Sequence, residues 1–125
     1  MNLNQITLEV TDMERAIAFY EKIGPVLIVS THPRYARLEC PDGGTTLSLH
    51  PGSFVSTPAS LYFEVEDVRA RYAELVAAGI TFESEPVKQS WLWEEAWFRD
   101  PDGHRLCLYH AGENRRFPPW RKEGA

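Results

Sequence analysis

The sequence predicts an α+β protein built from two βαβββ modules, because its structural signals repeat along the chain. Segment 8–13 (LEVTDM) recurs 55 residues later as segment 63–68 (FEVEDV). The turn 41–43 (PDG) recurs 60 residues later at 101–103, and an alternating strand follows each copy. Two signals that recur in the same order at this spacing indicate one structural module present twice.

The first module reads as strand, helix and three strands. Residues 5–10 alternate between polar and apolar side chains, which predicts a half-buried strand. Asp12 stands where a helix N-cap belongs, and the helix ends at Gly24. The apolar positions that follow at helical spacing are Met13, Ala16, Ile17 and Tyr20, and the later strands are expected over 26–30, 35–40 and 45–50.

The second module repeats this order. A strand is expected over 60–65, and Asp67 is expected to cap a helix that ends near Gly79. The predicted buried stripe of this helix is Val68, Tyr72, Leu75 and Val76, and the remaining strands are expected over 80–83, 93–99 and 105–109. The chain is therefore expected to be one domain, 1–125, with modules 3–50 and 60–110, a linker 51–59 and a tail 111–125.

Composition excludes several classes of protein. The 125 residues are 43% apolar and 25% charged, which is ordinary for a globular protein. The net charge of −5 and the scattered basic residues do not favour nucleic acid as a partner. No apolar run approaches the roughly 18 residues that span a membrane, and residues 1–5 are not expected to belong to a secretion signal. The two cysteines form no disulfide framework, so a cytoplasmic protein is expected.

Three segments resemble the vicinal oxygen chelate superfamily: 6–24 (ITLEVTDMERAIAFYEKIG), 61–82 (LYFEVEDVRARYAELVAAGITF) and 98–109 (FRDPDGHRLCLY). This superfamily contains glyoxalase I, extradiol dioxygenases, fosfomycin resistance enzymes and bleomycin-binding proteins. The resemblance covers residues 3–110 and implies the glyoxalase/bleomycin resistance fold, whose two paired modules curl their sheets around a concave cavity. It also implies a homodimer, because members of the superfamily usually dimerise.

The resemblance also locates the positions at which metal-dependent members carry their ligands, usually His or Glu. These positions fall on Gln5 and Ser60 in the first strands and on Ser48 and Cys107 in the last strands. Gln and Ser are weak neutral ligands, and one Cys does not hold a divalent ion. The expectation is therefore no metal and no cofactor, with one divalent metal ion as the alternative.

Strand alternation indicates which other side chains face the expected cavity. Glu9 and Glu64 are repeat-related carboxylates on that face, and His50 lies at its rim. These three are candidate catalytic residues for acid/base chemistry or for a non-standard metal site. The alternative is that the two carboxylates are structural or solvated residues at the sheet edge and that His50 is solvated.

Tryptophans form a second candidate feature. Trp91, Trp93 and Trp97 stand at period two, so a single extended strand would place three indoles on one face for stacking a flat ligand. The alternatives are packing against the tail, a loop or a partner subunit, and Trp91 in a loop would break the row. Cys107 faces the cavity too, with Arg105 two residues away on the same face, but a quiet thiol is the expectation and a reactive thiolate the alternative.

Together these features predict a small-molecule-binding protein of the glyoxalase/bleomycin-resistance type without the metal site. The Trp row favours an aromatic ligand, and the net charge of −5 with two cavity Glu favours a cationic one. The predicted ligand-binding residues are Gln5, Ser48, Ser60, Trp91, Trp93, Trp97 and Cys107. Two alternatives stay open: a divergent metal-dependent lyase or isomerase like glyoxalase I, or a dioxygenase-related enzyme; and an interaction module whose Trp row is a dimer face.

Overall fold

The structure, a computed structural model, describes residues 1–53 and 59–125. Most of the predicted linker, residues 54–58, lies outside the described residues. The chain divides into two compact units: the first is Met1–Ala59 with Asp100–His104, and the second is Ser60–Arg99 with Arg105–Ala125. Each unit contains one of the predicted modules, except that the turn 100–104 belongs to the first unit.

The first unit is a four-stranded sheet with one helix. Its elements are β1 (Gln5–Val10), α1 (Met13–Ile23), β2 (Val26–Ser30), β3 (Ala36–Glu39) and β4 (Thr46–Pro51). The strand order is β1-β4-β3-β2, with β1 parallel to β4 and the other pairs antiparallel. The predicted N-cap is confirmed, because the backbone N–H of Arg15 donates to the Asp12 carboxylate at 3.0 Å.

The core of the first unit lies between α1 and one face of this sheet. The apolar positions of β1, β3 and β4 are buried, and so is the inner side of α1. These buried residues are Leu8, Val10, Met13, Ala16, Tyr20, Ala36, Leu38, Leu47 and Leu49. The helical stripe predicted from spacing is thus confirmed apart from Ile17, which is half-buried. Because side chains alternate along a strand, the polar positions of the same strands lie on the opposite face.

A buried polar contact ties α1 to the turn 100–104. The Tyr20 hydroxyl donates to Oδ2 of Asp100 at 2.7 Å, and both side chains are buried. The other oxygen, Oδ1, accepts from the backbone N–H groups of Asp102 and His104 at 2.9 Å each. Burial and then the Asp100 carboxylate raise the pKa of the Tyr20 hydroxyl well above its ordinary value. Tyr20 therefore stays protonated and acts as a fixed donor.

The second unit repeats the arrangement. Its elements are β5 (Ser60–Glu64), α2 (Val68–Ala77), β6 (Val87–Lys88), β7 (Glu94–Arg99), β8 (Arg105–His110) and a 3-10 helix (Gly112–Arg115). The strand order is β5-β8-β7-β6, with β5 parallel to β8. Asp67 caps α2 as predicted, by accepting from the backbone N–H of Ala70 at 3.0 Å. Phe98 of β7 contacts Phe82, which contacts Tyr72 of α2, so this face of the sheet packs on the helix.

Two predictions for the second unit are wrong. The strand expected over 80–83 is reduced to a single bridge between Phe82 and Phe98, because aromatic packing rather than a hydrogen-bonded ladder holds this segment. Pairing resumes only at β6, after Pro86, which has no N–H to donate. In α2, Val76 is exposed rather than buried, because it lies about 100° around the helix from the buried Leu75.

Candidate functional site

Aromatic side chains dominate the face of the second sheet that points away from α2. The strand register places Tyr62 beside Cys107 and Cys107 beside Trp97 in one row. The next row holds Glu64, Tyr109 and Glu95 in the same order across the sheet. The alternation that the sequence predicts for these strands is thus confirmed, and it brings aromatic and carboxylate groups together on one surface.

Four of these rings form a connected group, called here the aromatic cluster: Tyr62, Trp93, Trp97 and Tyr109. Tyr62 makes edge contacts with the other three rings, at centroid distances of 6.1 Å to Trp93, 5.3 Å to Trp97 and 5.6 Å to Tyr109. Trp93 stacks on Tyr109 at 4.8 Å. Tyr62 is 51% exposed, so the cluster has a solvent-accessible edge. Such rings offer both flat surfaces for stacking and an electron-rich site for a cation.

A buried carboxylate lies beside the aromatic cluster. Glu95 is only 5% exposed. Its Oε1 accepts from the indole N–H of Trp97 at 3.2 Å and from the Gln89 amide at 3.4 Å, and its Oε2 accepts from the Trp91 indole at 3.0 Å. Within the described residues, no Lys, Arg or His forms an ion pair with Glu95. The carboxylate is therefore satisfied by three neutral hydrogen-bond donors rather than by an ion pair.

Cys107 is a quiet thiol, as the sequence indicates. It is fully buried, and burial followed by the charge of Glu95 raises its pKa to about 12. The nearby Arg105 guanidinium lies over the Trp97 ring at 4.1 Å, and it offsets this shift only in part. At neutral pH the sulfur is protonated, so it offers neither a nucleophile nor a thiolate ligand.

Glu64 binds the backbone of the tail. Its Oε2 accepts from the N–H groups of Ala111 and Gly112 at 2.8 and 2.9 Å. The His110 ring and the Arg115 guanidinium approach the same carboxylate at 3.8 and 3.9 Å. This arrangement holds the start of the 3-10 helix, so Glu64 has a structural role in the second unit.

In the first unit, the predicted site residues share the sheet face that points away from α1. Gln5, Ser48 and His50 follow the alternation, and the register pairs Glu9 with His50. The Thr46 hydroxyl donates to Oε1 of Gln5 at 3.0 Å. Glu9 and His50 are exposed, which agrees with the solvated alternative for these two side chains.

Ser48 forms a hydrogen bond with Tyr35, a residue that the sequence does not predict as part of the site. Its buried hydroxyl lies 2.7 Å from the hydroxyl of Tyr35, which also accepts from Nε of Arg37 at 2.8 Å. The His50 ring meets the Tyr35 ring edge-on at 5.2 Å. Alternation places Tyr35 and Arg37 on one face but predicts no partner for either. Within the described residues, Arg37 donates to the Tyr35 hydroxyl and forms no ion pair.

The structure thus brings the predicted residues together in two groups, one on each sheet. Gln5, Glu9, Ser48 and His50 share the first sheet, and Ser60, Glu64, Trp93, Trp97 and Cys107 belong to the second unit. The predicted grouping of Glu64 with Glu9 and His50 combines residues of both units and stays a prediction.

The single row of three indoles is wrong. Trp91 lies in the turn before β7, where Leu92 has a positive φ of 69°, and Trp93 precedes the first residue of β7. The change of chain direction at this turn removes Trp91 from the strand alternation. Trp91 nevertheless donates a hydrogen bond from its indole N–H to Glu95, so it contacts the site from the turn rather than from the strand.

Across residues 1–53 and 59–125, no three His, Cys, Asp or Glu side chains form a group suited to a metal ion. No helix in the same ranges combines the length and apolarity needed to cross a membrane.

Comparison with known proteins identifies the family. The model of the Glyoxalase/Bleomycin resistance protein/Dioxygenase superfamily matches residues 2–108. The chain belongs to this superfamily. The resemblance seen in the sequence is thereby confirmed, and so is the α+β fold with two βαβββ modules.

Individual relatives of this superfamily member have different activities. The trivalent organoarsenical cleaving enzyme of Bacillus sp. (strain MD1) is 28% identical over 131 residues, which cover 95% of this chain and 81% of the relative. A bleomycin-binding protein complexed with bleomycin superposes with a TM-score of 0.71 at 22% identity, covering 88% of this chain and 98% of that one. Lactoylglutathione lyase from Agrobacterium tumefaciens gives 0.74 at 16% identity, with coverage of 87% and 92%. At these identities the solved structures establish the shared fold alone.

Proposed function

We propose that this superfamily member binds a small molecule that is flat and positively charged, and that it does so without a metal ion. The aromatic cluster carries this proposal, because its four rings share an accessible edge, and beside them lies the buried Glu95 carboxylate, which has no ion-pair partner among the described residues. Flat ligands stack on indole and phenol rings, and the negative charge of Glu95 favours a cation. The bleomycin complex of a structural relative supports small-molecule binding on this fold.

The donor chemistry supports binding without a metal. At the four positions where metal-dependent members carry ligands, Gln5 accepts a hydrogen bond from Thr46, and Ser48 is held by Tyr35. Ser60 offers a neutral hydroxyl, and Cys107 is a buried, protonated thiol. Neutral oxygens and a protonated sulfur do not fit a divalent ion, which requires carboxylate, imidazole or thiolate ligands.

A tryptophan fluorescence titration tests the proposal. The probes are ethidium, a flat cation, and phenanthridine, its neutral parent ring system, in buffer that contains a chelator. We expect Trp93→Leu to weaken ethidium binding by about tenfold, because the stacked indole is lost. The matched control is Trp120→Leu, which removes an exposed tail indole outside the aromatic cluster and leaves the affinity unchanged.

Charge recognition is tested separately with Glu95→Gln. This variant is expected to weaken ethidium binding and to leave phenanthridine binding within about twofold, because only the charged probe gains from the carboxylate. Equal losses for both probes would assign Glu95 a structural role. If neither probe binds the wild-type protein, the proposal fails.

The homodimer also remains a proposal, and sedimentation of the same variants separates it from ligand binding. If the aromatic cluster is a dimer face, Trp93→Leu dissociates the dimer and leaves probe affinity unchanged. If the aromatic cluster binds the ligand, the variant sediments like the wild type and loses affinity.

A second candidate is a metal-dependent lyase or isomerase, favoured by the organoarsenical cleaving enzyme that matches 95% of this chain. A trivalent organoarsenical needs thiolate ligands, whereas burial and then the charge of Glu39 raise the pKa of Cys40, and Cys107 is shifted further. Both thiols are therefore protonated at neutral pH. Mass spectrometry after incubation with phenylarsine oxide distinguishes the two candidate functions. A stoichiometric adduct on the native protein would favour the enzyme over the binding protein.

A further inference from the structure

An arginine lies at the edge of the aromatic cluster. The Arg105 guanidinium is 4.1 Å from the centre of the Trp97 ring, over its face. The strand register places Ser60 and Arg99 on either side of Arg105. On this sheet face, the adjacent row is the one that contains Tyr62 and Trp97. A row of polar and cationic side chains therefore borders the aromatic surface on which the proposed ligand stacks.

Most of the donor capacity of Arg105 is unused. A guanidinium has five N–H donors, and this one makes a single hydrogen bond among the described residues, from Nη2 to Oε2 of Glu83 at 3.3 Å. Its Nε is buried without an acceptor, whereas 41% of the whole side chain is exposed. The other oxygen of Glu83 lies 3.5 Å from Nε of Arg99, so one carboxylate faces two guanidinium groups. The charge of Arg105 is thus only partly balanced, and its exposed N–H groups are open to a further acceptor.

Trp97 contacts groups of both charges. Its indole N–H donates to the Glu95 carboxylate at 3.2 Å, while the Arg105 guanidinium covers its ring. Both charges also act on the hydroxyl of Tyr62: burial is the main cause of its raised pKa, Glu95 adds to the rise, and Arg105 opposes it. A ligand with positive charge alone is attracted by Glu95 and repelled by Arg105. A ligand that carries charges of both signs gains from both residues.

We propose that Arg105 is the anion subsite of the aromatic cluster, and that the ligand is a flat cationic ring that also carries a carboxylate. This inference rests on the proposed function, because the cationic ring is the part that the aromatic cluster recognises. Arg105 donates to the ligand carboxylate, and the exposed Ser60 hydroxyl lies beside it as a second donor. One partly balanced guanidinium matches the single charge of a carboxylate better than the nearly doubled charge of a phosphate monoester.

Two probes that differ only in this acidic group test the subsite. The first, 1-methylnicotinate, is a flat zwitterion, and the second, 1-methylnicotinamide, has a neutral amide of similar shape in place of the carboxylate. Calorimetric titration in buffer with a chelator measures both Kd values. We expect the wild type to bind the zwitterion at least about tenfold more tightly, since the amide forms no ion pair with Arg105. Equal Kd values, tighter binding of the amide, or no binding of either probe would overturn the proposal.

The variant Arg105→Met tests whether this residue causes the preference. Methionine keeps an apolar side chain against the Trp97 ring and removes the charge, so the Kd of the zwitterion should rise at least about tenfold, whereas that of the amide should not rise. Arg69→Met is the matched control: it removes an arginine of α2 that pairs with Glu94 on the other side of the sheet, and both Kd values should stay unchanged. If the preference survives in Arg105→Met, or if both probes weaken equally, Arg105 only packs on Trp97 and the inference fails.

A gain of affinity, which misfolding does not mimic, is expected for Glu83→Gln. This variant removes the carboxylate that pairs with Arg105, so the zwitterion should bind about threefold more tightly and the amide should not. An unchanged or weaker affinity for the zwitterion would contradict the subsite. Ethidium has no carboxylate, so its titration tests the aromatic cluster independently. If ethidium binds and the zwitterion is not preferred over the amide, the anion subsite fails while the proposed function stands.

Discussion

Replacing Tyr20 with Phe isolates the buried hydrogen bond between α1 and the turn 100–104. The substitution removes only the hydroxyl, which donates to Oδ2 of Asp100 at 2.7 Å. Oδ1 keeps its two backbone donors, whereas Oδ2 becomes a buried carboxylate oxygen without this donor. A hydrogen bond to a charged group contributes about 1.5–3 kcal/mol, so we expect the free energy of unfolding to fall by about 2 kcal/mol at pH 7.5.

The difference in unfolding free energy between the wild type and Tyr20→Phe should also depend on pH, which provides a second test. Because burial raises the pKa of Tyr20, the folded protein keeps the proton that the unfolded chain releases above about pH 10. The contribution of Tyr20 to stability is complete below that pH and is lost by about 1.4 kcal/mol per pH unit above it. Phe has no proton to release, so the gap between the two proteins should narrow from about 2 to about 0.6 kcal/mol by pH 11.

Urea denaturation of both proteins at pH 7.5 and pH 11 measures both quantities. Tyr72→Phe is the matched control, because no hydrogen bond of the Tyr72 hydroxyl is seen in the described residues, and it should cost less than about 0.5 kcal/mol. A Tyr20→Phe cost below about 0.5 kcal/mol at pH 7.5 would refute the hydrogen-bond argument. A gap that does not change with pH would refute the protonation argument.

Three further predictions concern the second unit. Leu92→Gly should raise the free energy of unfolding by about 0.5–1 kcal/mol in urea denaturation, because Leu92 is exposed and has a positive φ. In a Cys40→Ser background, native Cys107 should react with iodoacetamide at pH 8 about a thousandfold more slowly than in urea, since its pKa is about 12; comparable rates would exclude the raised pKa. Glu64→Ala should release the backbone of the 3-10 helix, so trypsin should cleave after Arg116 about tenfold faster; an unchanged rate would mean that Glu64 does not hold the tail.

The sequence is informative about the fold because its signals are local and occur twice. Asp12 and Asp67 cap the two helices as expected, since an N-cap depends on the residue and the turn that follows it. Strand alternation likewise assigns Ser48 and Cys107 to the correct faces. The predicted strand over 80–83 fails because packing of Phe82 overrides its β propensity.

The contacts within the candidate site depend on tertiary structure and were less predictable. The bond between Tyr35 and Ser48 requires the register of β3 on β4, which local sequence does not specify. Glu64 is held by amides 47 and 48 residues further along the chain. Trp91 reaches Glu95 from a turn rather than from the strand. In each case the residue type was visible in the sequence, but its partner was not.

The most direct test of binding without a metal is the Kd of ethidium before and after metal loading, with metal content measured by elemental analysis. The protein is first treated with EDTA, then incubated with Fe²⁺, Mn²⁺ or Zn²⁺ and desalted. We predict less than about 0.1 metal ion per chain and a Kd that agrees within about twofold between the two preparations. About one metal ion per chain, or ethidium binding that appears only after metal loading, would contradict the proposed function.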